Sequence, residues 1–250
     1  MCTVTVIPTA RGHRLCCNRD ESRARPASTD ALVRRAGERT AAMPIDPTSG
    51  GTWIGVNDAG LVACLLNANP GVVRASPERW MGRRSRGVIV PRLLTCGTIE
   101  EALDSALGLD AADFPPFRLL MICEGRFAVL ASDGSVCEAE QPRGLGAPLM
   151  LASSGLGDDL VEPHRRGLFD RMLRMHPPEA AQEEFHRHCW PDRPHLSVVM
   201  SRPDARTVSR TDVDVTPGSV ELRHERWRDE TGAVESSAAC LRVQSAVAPA

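Results

Sequence analysis

The 250-residue sequence contains no lysine and no tyrosine; all 30 basic residues are arginine. No lysine amine is available for a Schiff base or for the phosphate contact of a Walker loop. No phenol can act as acid or base. Charge of one sign is not in excess: the formal net charge is -2, which argues against nucleic acid as a partner. No run of about twenty apolar residues exists, so no membrane span is expected. The nine cysteines, at 2, 16, 17, 64, 96, 123, 137, 189 and 240, include no C-x-x-C pair of the zinc or redox type. A secretory signal is missing too. There is no basic leading region, and Val4 to Ile7 is too short an apolar run. These absences lead to the expectation of a reduced, cytoplasmic, soluble protein.

What is present is ordinary globular material, 42% hydrophobic and 25% charged. A chain of this length buries about three-quarters of its unfolded surface, enough to fold without disulfides. Thr3 to Ile7 is β-branched and predicts a strand. Pro8 to Gly12 predicts its turn, and His13 to Asn18 the returning strand. The polar, Arg-rich stretch to Pro47 predicts irregular chain. Thr52 to Val56 and Leu61 to Leu66 flank Asn57-Asp58-Ala59-Gly60, a hairpin signal. Helices are predicted over Gly82 to Thr95, Ile99 to Leu107, Glu162 to Met175 and Glu179 to His188. Strands are predicted over Phe117 to Cys123, Phe127 to Ala131, Ser135 to Glu138, Leu149 to Ser153, Leu196 to Met200, Thr207 to Val213 and Val220 to His224. From about Glu230 the chain is small and polar, which predicts a disordered tail. Strands in hairpin runs with helices in two blocks argue for layered antiparallel sheets, not a doubly wound parallel sheet.

Cys2 follows the initiator Met1 directly. A five-residue loop would pair Ile7 with His13 and Cys2 with Asn18. Asn18 and Asp20 would then share the Cys2 face and Arg19 would point away; a one-residue slip reverses this. Removal of Met1 by methionine aminopeptidase would give Cys2 a free α-amine. Such an amine ordinarily titrates at about 7.7–8.0, beside a thiol at about 8.5. It is a usable base for its own thiol. A carboxylate such as Asp20 could orient it, and a cation such as Arg19 would favour the thiolate.

These residues carry a resemblance. "MCTVTVI", then "RLCCNRDESRARP", then "GGTWIGVNDAGLVACLLN" and "SRG" at Ser85 to Gly87 resemble the NRDE family, that of transport and Golgi organisation protein 2. The match is strong over the first ninety residues and returns in "HLSVVMSRPDARTVSRTDV". It implies an N-terminal-nucleophile hydrolase-like fold, α+β: a four-layer αββα sandwich of two antiparallel sheets between helices. Residues 1–229 would then be a single domain and 230–250 the tail. The family is distantly similar to penicillin V acylase and bile salt hydrolase. By that likeness Cys2 is the nucleophile, Asp20 holds the α-amine, Asn67 supplies an oxyanion donor, and Arg19 is a fourth catalytic candidate. Ser153 and Ser154 stand where those enzymes have a second Asn, and only Arg193 and Arg202 lie near the position of their C-terminal Arg. Asn18, Trp53, Ser153 and Arg84 are the candidates for contacting substrate. The expected activity is a cysteine amidohydrolase or acyltransferase on a small acyl or amide substrate, without cofactor. The alternative is a haem- or lipid-binding trafficking protein on the same fold. Oligomeric state is not legible.

Other features are weaker. His186 and His188 diverge on a helix and have no partner pair for zinc. The same segment, or His13, Cys16 or Cys17, could give an axial haem ligand, though no spacing demands it. Gly155-Leu156-Gly157 is a turn rather than a dinucleotide loop. Core packing is the default for Trp53 and Trp80 in a chain with 4% aromatics. The run Arg83-Arg84-Ser85-Arg86 is either an anion contact near the pocket or a solvated face.

Overall fold

The β-branched opening forms strand β1 (Cys2–Thr9), and the chain returns as β2 (Gly12–Ser22). The computed structural model describes residues 2–69, 84–227 and 233–244. Next come β3 (Leu32–Ala36), β4 (Arg39–Met43), β5 (Ile54–Asn57) and β6 (Val62–Asn67). A 3-10 turn at Arg86–Val88 leads into α1 (Ile89–Leu93), followed by α2 (Ile99–Leu107). Strands β7 (Phe117–Cys123), β8 (Arg126–Ser132), β9 (Cys137–Ala139), β10 (Arg143–Gly144) and β11 (Leu149–Ala152) precede α3 (Asp158–Met175) and α4 (Pro178–Arg187). The chain closes with β12 (Ala205–Thr216), β13 (Ser219–Trp227) and β14 (Val234–Arg242).

One sheet runs β11-β1-β2-β12-β13-β14, the other β10-β8-β7-β6-β5-β4-β3 with β9 also on β8. All pairings are antiparallel. Between the sheets, Val4, Val6, Leu15 and Cys17 share a core with Ile54, Val56, Val62 and Cys64. On the outer face of the second sheet, Met43, Leu61, Ala63 and Leu65 pack with Ile89, Leu93, Ala102 and Leu103 of α1 and α2. On the outer face of the first, Ile7, Met150 and Ala152 pack with Leu168, Phe169, Ala181 and Phe185 of α3 and α4. Three cores separate four layers, the αββα sandwich. No helix among the described residues is long and apolar enough to cross a membrane.

The first hairpin differs from expectation by one residue. Thr9 pairs with Gly12, so the loop is Ala10-Arg11 alone; Ile7 pairs with Arg14 and Cys2 with Arg19. Pro8 is not turn but strand. β11 reaches no further than Val6, so at Pro8 that side of β1 is an edge, where a missing N–H is tolerated. Gly12 is fixed by contact: a Cβ there would lie 2.0 Å from the Val215 carbonyl oxygen.

Other corrections have physical reasons. The stretch expected to be irregular holds β3 and β4. Strand β3 lies at the sheet edge and is almost wholly exposed, so it shows no apolar alternation. Leu196 to Met200 is not a strand but a chain of turns and bends. Its carbonyls are satisfied by side chains: Arg165 donates to the Leu196 and Ser197 oxygens, and Asn18 to that of Val198. The tail expectation is corrected by β14, paired along the whole of β13. Ala239 and Leu241 are buried on either side of the exposed Cys240; residues as small as Ser236, Ser237 and Ala238 before them hide the strand pattern. Gly82 and Arg83, at the start of the first expected helix, lie outside the described residues, as do 245–250 at the end of the expected tail.

Candidate active site

Cys2, at the start of β1, opens onto a cleft of about 240 Å³. Strand alternation on β2 brings Arg19 and Glu21 to the same wall. Trp53 and Asn67 enter from the opposite sheet. The two sequence motifs "GGTWIG" and "SRG" meet here by backbone. A Cβ on Gly51 would lie 2.5 Å from the Gly87 carbonyl, and Thr52 N–H donates to the Gly87 oxygen at 3.0 Å. This approach sets Arg86 beside the cleft.

The Cys2 backbone nitrogen donates to Ser153 Oγ at 3.0 Å. Ser153 N–H returns a bond to the Cys2 carbonyl at 2.8 Å. The Cys2 thiol is pushed well above its ordinary pKa by its hydrogen bond with Cys17 and by burial. Arg19 pulls the other way, but less. The resting form is therefore a thiol, and a base is required to make the thiolate.

The cleft is ionic. Arg19 lies over the Trp53 ring, 4.3 Å from its centroid. It donates to Glu21 at 2.9 Å and to Asp46 at 3.0 Å. Arg25 also bonds Asp46, through Nε at 2.9 Å and Nη2 at 2.7 Å. Asp46 is presented by a tight turn in which it accepts from Thr48 N–H at 2.9 Å and Gly50 takes φ +67°. Burial works to raise the Asp46 pKa, but the bonds from Arg25 and Thr48 outweigh it and hold the carboxyl below its usual range.

Asp20 sits on the other face of β2, buried beneath the cleft. It accepts from Thr207 Oγ1 at 2.6 Å and lies 3.6 Å from Arg165 Nη1. Burial raises its pKa, and Arg165 and Thr207 partly offset this. Arg165 also donates to Thr3 Oγ1, beside Cys2.

Of the residues singled out in the sequence, Cys2, Arg19, Asn67 and Trp53 meet at the cleft, Ser153 holds the Cys2 nitrogen, and Asp20 lies directly behind. Two do not belong to it. Asn18 is fully buried on the helix side, bonding the carbonyls of His186 and Val198 at 2.9 and 3.2 Å; the one-residue register shift turns it away. Arg84 is exposed, pairs with Asp113 and lies over Phe114. Of the described arginines in that run, Arg86 is the one that lines the cleft, with Ser85 beside it. Trp80 and Arg83 lie outside the described residues. His186 is spent on internal bonds to Thr5 at 2.8 Å and Asn18 at 3.0 Å. Sequence reading missed Glu21, Arg25, Asp46 and Arg86. Glu21 was available from its parity with Arg19. Arg86 was signalled only as part of the basic run, without being singled out from Arg84. Asp46 had no local signal, since its partners Arg19 and Arg25 lie more than twenty positions before it.

The fold has known likenesses. The structure is similar to that of the Caenorhabditis elegans ortholog of N-acylethanolamine-hydrolyzing acid amidase, with TM-score 0.57, 15% identity and coverage of 84% of this chain and 91% of that one. It is also similar to a mutant conjugated bile acid hydrolase from Clostridium perfringens, with TM-score 0.53, 13% identity and coverage of 94% and 92%. At these identities what is shared is the fold, that of the N-terminal-nucleophile hydrolases. No curated protein matches the sequence. The family model described as transport and Golgi organisation 2 matches residues 1–157. That span contains the Cys2 strand, the Asn18-Arg19-Asp20-Glu21 signature and the glycine contact that builds the cleft wall, and the chain belongs to this family.

Proposed function

We propose that this protein is an N-terminal-nucleophile cysteine amidohydrolase or acyltransferase acting on a small amide. The observation that carries the reading is Cys2 itself. It is the residue after the initiator Met, its nitrogen is held by Ser153, and its side chain opens on a cleft shared with Arg19 and Asn67. The two solved structures of similar fold described above are named as hydrolases, one an amidase.

Met1 lies outside the described residues; its removal is part of the proposal. The freed α-amine, held by Ser153 with Asp20 behind, takes the proton from Sγ. The thiolate attacks the carbonyl carbon, and Asn67 donates to the developing oxyanion. The Asn67 side chain bonds no described residue, so its N–H groups are open for this. The ammonium then protonates the leaving amine. A thioester remains, which water or a second amine resolves. Arg19, stacked on Trp53 and fixed by Glu21 and Asp46, supplies positive potential without swinging away. The ionic walls favour a small polar substrate over haem or a lipid chain.

Intact mass and peptide mapping after brief iodoacetamide treatment at neutral pH test this reading. Loss of Met1 is expected, with Cys2 alkylated faster than the exposed Cys189 and Cys240. Labelling should rise with pH through the α-amine titration, near pH 7.7–8.0, because only the neutral amine accepts the thiol proton. Retained Met1, or Cys2 no more reactive than Cys240, would sink it.

A further inference from the structure

We infer that Arg86 binds a carboxylate on the substrate, so that the amide cleaved or transferred belongs to an acidic molecule such as an N-acyl amino acid. This rests on the amide-processing reading above and specifies its substrate class.

Among the described residues, the side-chain charges lining the cleft do not balance. Three guanidiniums, Arg19, Arg25 and Arg86, face two carboxylates, Glu21 and Asp46. Arg19 and Arg25 consume both acids, with contacts of 2.7 to 3.0 Å. Arg86 is left with a neutral partner: its Nη1 donates to the Pro116 carbonyl at 2.7 Å. No ion pair engages it among the described residues. The bond to Pro116 fixes the guanidinium plane while leaving Nε and Nη2 unengaged. That edge carries two parallel N–H donors, the fork that matches a planar carboxylate.

The position is costly without a ligand. Arg86 is half-buried, and burial lowers its pKa to about 10, offset in part by Cys2 and Glu21. Those same influences place it in electrical reach of the nucleophile. A cation taken partly out of water without a counter-ion is destabilised, and an entering carboxylate would restore the balance while orienting the scissile bond toward Cys2. Arg84, two residues earlier, makes a useful contrast: it is exposed and already paired with Asp113.

The test separates binding from chemistry. In Cys2→Ala protein, N-acetylglycine and its uncharged methylamide are titrated by calorimetry. The anion is expected to bind tighter by on the order of ten- to a hundredfold, the scale of a charge-assisted pair. Arg86→Gln should abolish the difference, and Arg86→Lys should retain part of it, since a point charge lacks the fork. Equal affinity of the two probes in the Arg86 protein overturns the inference whatever the variants do. So does a preference that survives Arg86→Gln. Neither result touches the alkylation of Cys2, so this inference and the nucleophile reading fail by different measurements. If turnover is found, a second overturning result is Arg86→Gln lowering kcat equally for charged and neutral amides with KM unchanged; that would assign Arg86 to thiolate stabilisation.

Discussion

The two helical layers are fastened to their sheets by different chemistry. Helices α1 and α2 meet the second sheet chiefly through hydrocarbon, Ile89, Leu93, Ala102 and Leu103 against Met43, Leu61, Ala63 and Leu65, with Asn57 of β5 donating to the Leu94 and Cys96 carbonyls at the end of α1. Helices α3 and α4 combine an apolar patch with a buried polar network. His186 bonds Thr5 and Asn18, Gln182 donates to Thr5 at 2.9 Å, and Arg165 reaches Thr3, Leu196 and Ser197. Apolar burial is non-directional and fixes that a helix covers a sheet more than where. Buried hydrogen bonds are directional, so a satisfied network specifies position. The directional layer is the one behind Cys2. Thr3 and Asp20 belong to it, so α3 and α4 hold the strand that carries Cys2.

Alternation on β2 divides the four-residue signature between the two tasks. Arg19 and Glu21 face the cleft; Asn18 and Asp20 face the network. Half of the motif forms the site and half braces it.

Breaking the polar layer should have the largest effect. Arg165→Met removes the buried cation 3.6 Å from Asp20, a change expected to cost about 3–5 kcal/mol in urea unfolding. It should also slow alkylation of Cys2, because Thr3 is released. Arg165→Met with Asp20→Asn should recover much of the stability, as a double-mutant cycle would show. A cycle with no coupling would mean the two residues do not act together. Leu93→Ala is the counterpart in the apolar layer. It should cost about 2–5 kcal/mol yet leave Cys2 alkylation within about twofold. If both variants slow alkylation equally, the contrast between the layers fails.

The smallest effect concerns acid. Burial holds His13 neutral to a pKa of about 4 and His224 to about 3, while the unfolded value is about 6.5. Burial, then Arg210 and Arg14, lower His186 as well. Between the folded and unfolded values the unfolded chain binds more protons. Stability therefore rises with pH and falls on acidification below about 6.5, by at most about 1.4 kcal/mol per pH unit per histidine. Denaturant midpoints at pH 7, 6 and 5 measure the slope. His186→Gln, which keeps a polar group in the network, should make it shallower; an unchanged slope would mean His186 titrates alike in both states.

Legibility followed the range of the interactions. The β5–β6 hairpin was readable because Asn57 closes it locally, accepting from the N–H groups of Ala59 and Leu61, with Gly60 at φ +78°. Helix α2 was readable from its apolar spacing, and Thr98 caps it by accepting from Glu101 N–H at 3.1 Å. Leu196 to Met200 misled because it is as apolar as a strand, yet side chains distant in sequence take its carbonyls. Strand β14 was hidden because small residues suffice where β13 has already filled the core.

The sequence alone determined a Cys at position 2, a hairpin to carry it, antiparallel layers, and the motifs that mark the family. Those depend on neighbours in the chain, or on residue identity. Tertiary structure decided the register, and with it which residues share the face of Cys2. A contact between Gly12 and Val215, 203 positions apart in the numbering, helps hold the tight loop that sets that register. It also decided that Asp46 and Arg86 line the cleft with Cys2, Asp46 through its pairing with Arg19 and Arg25 and Arg86 beside the approach of Gly51 to Gly87. Local propensity selects elements; only long-range packing and charge balance choose which side chains meet.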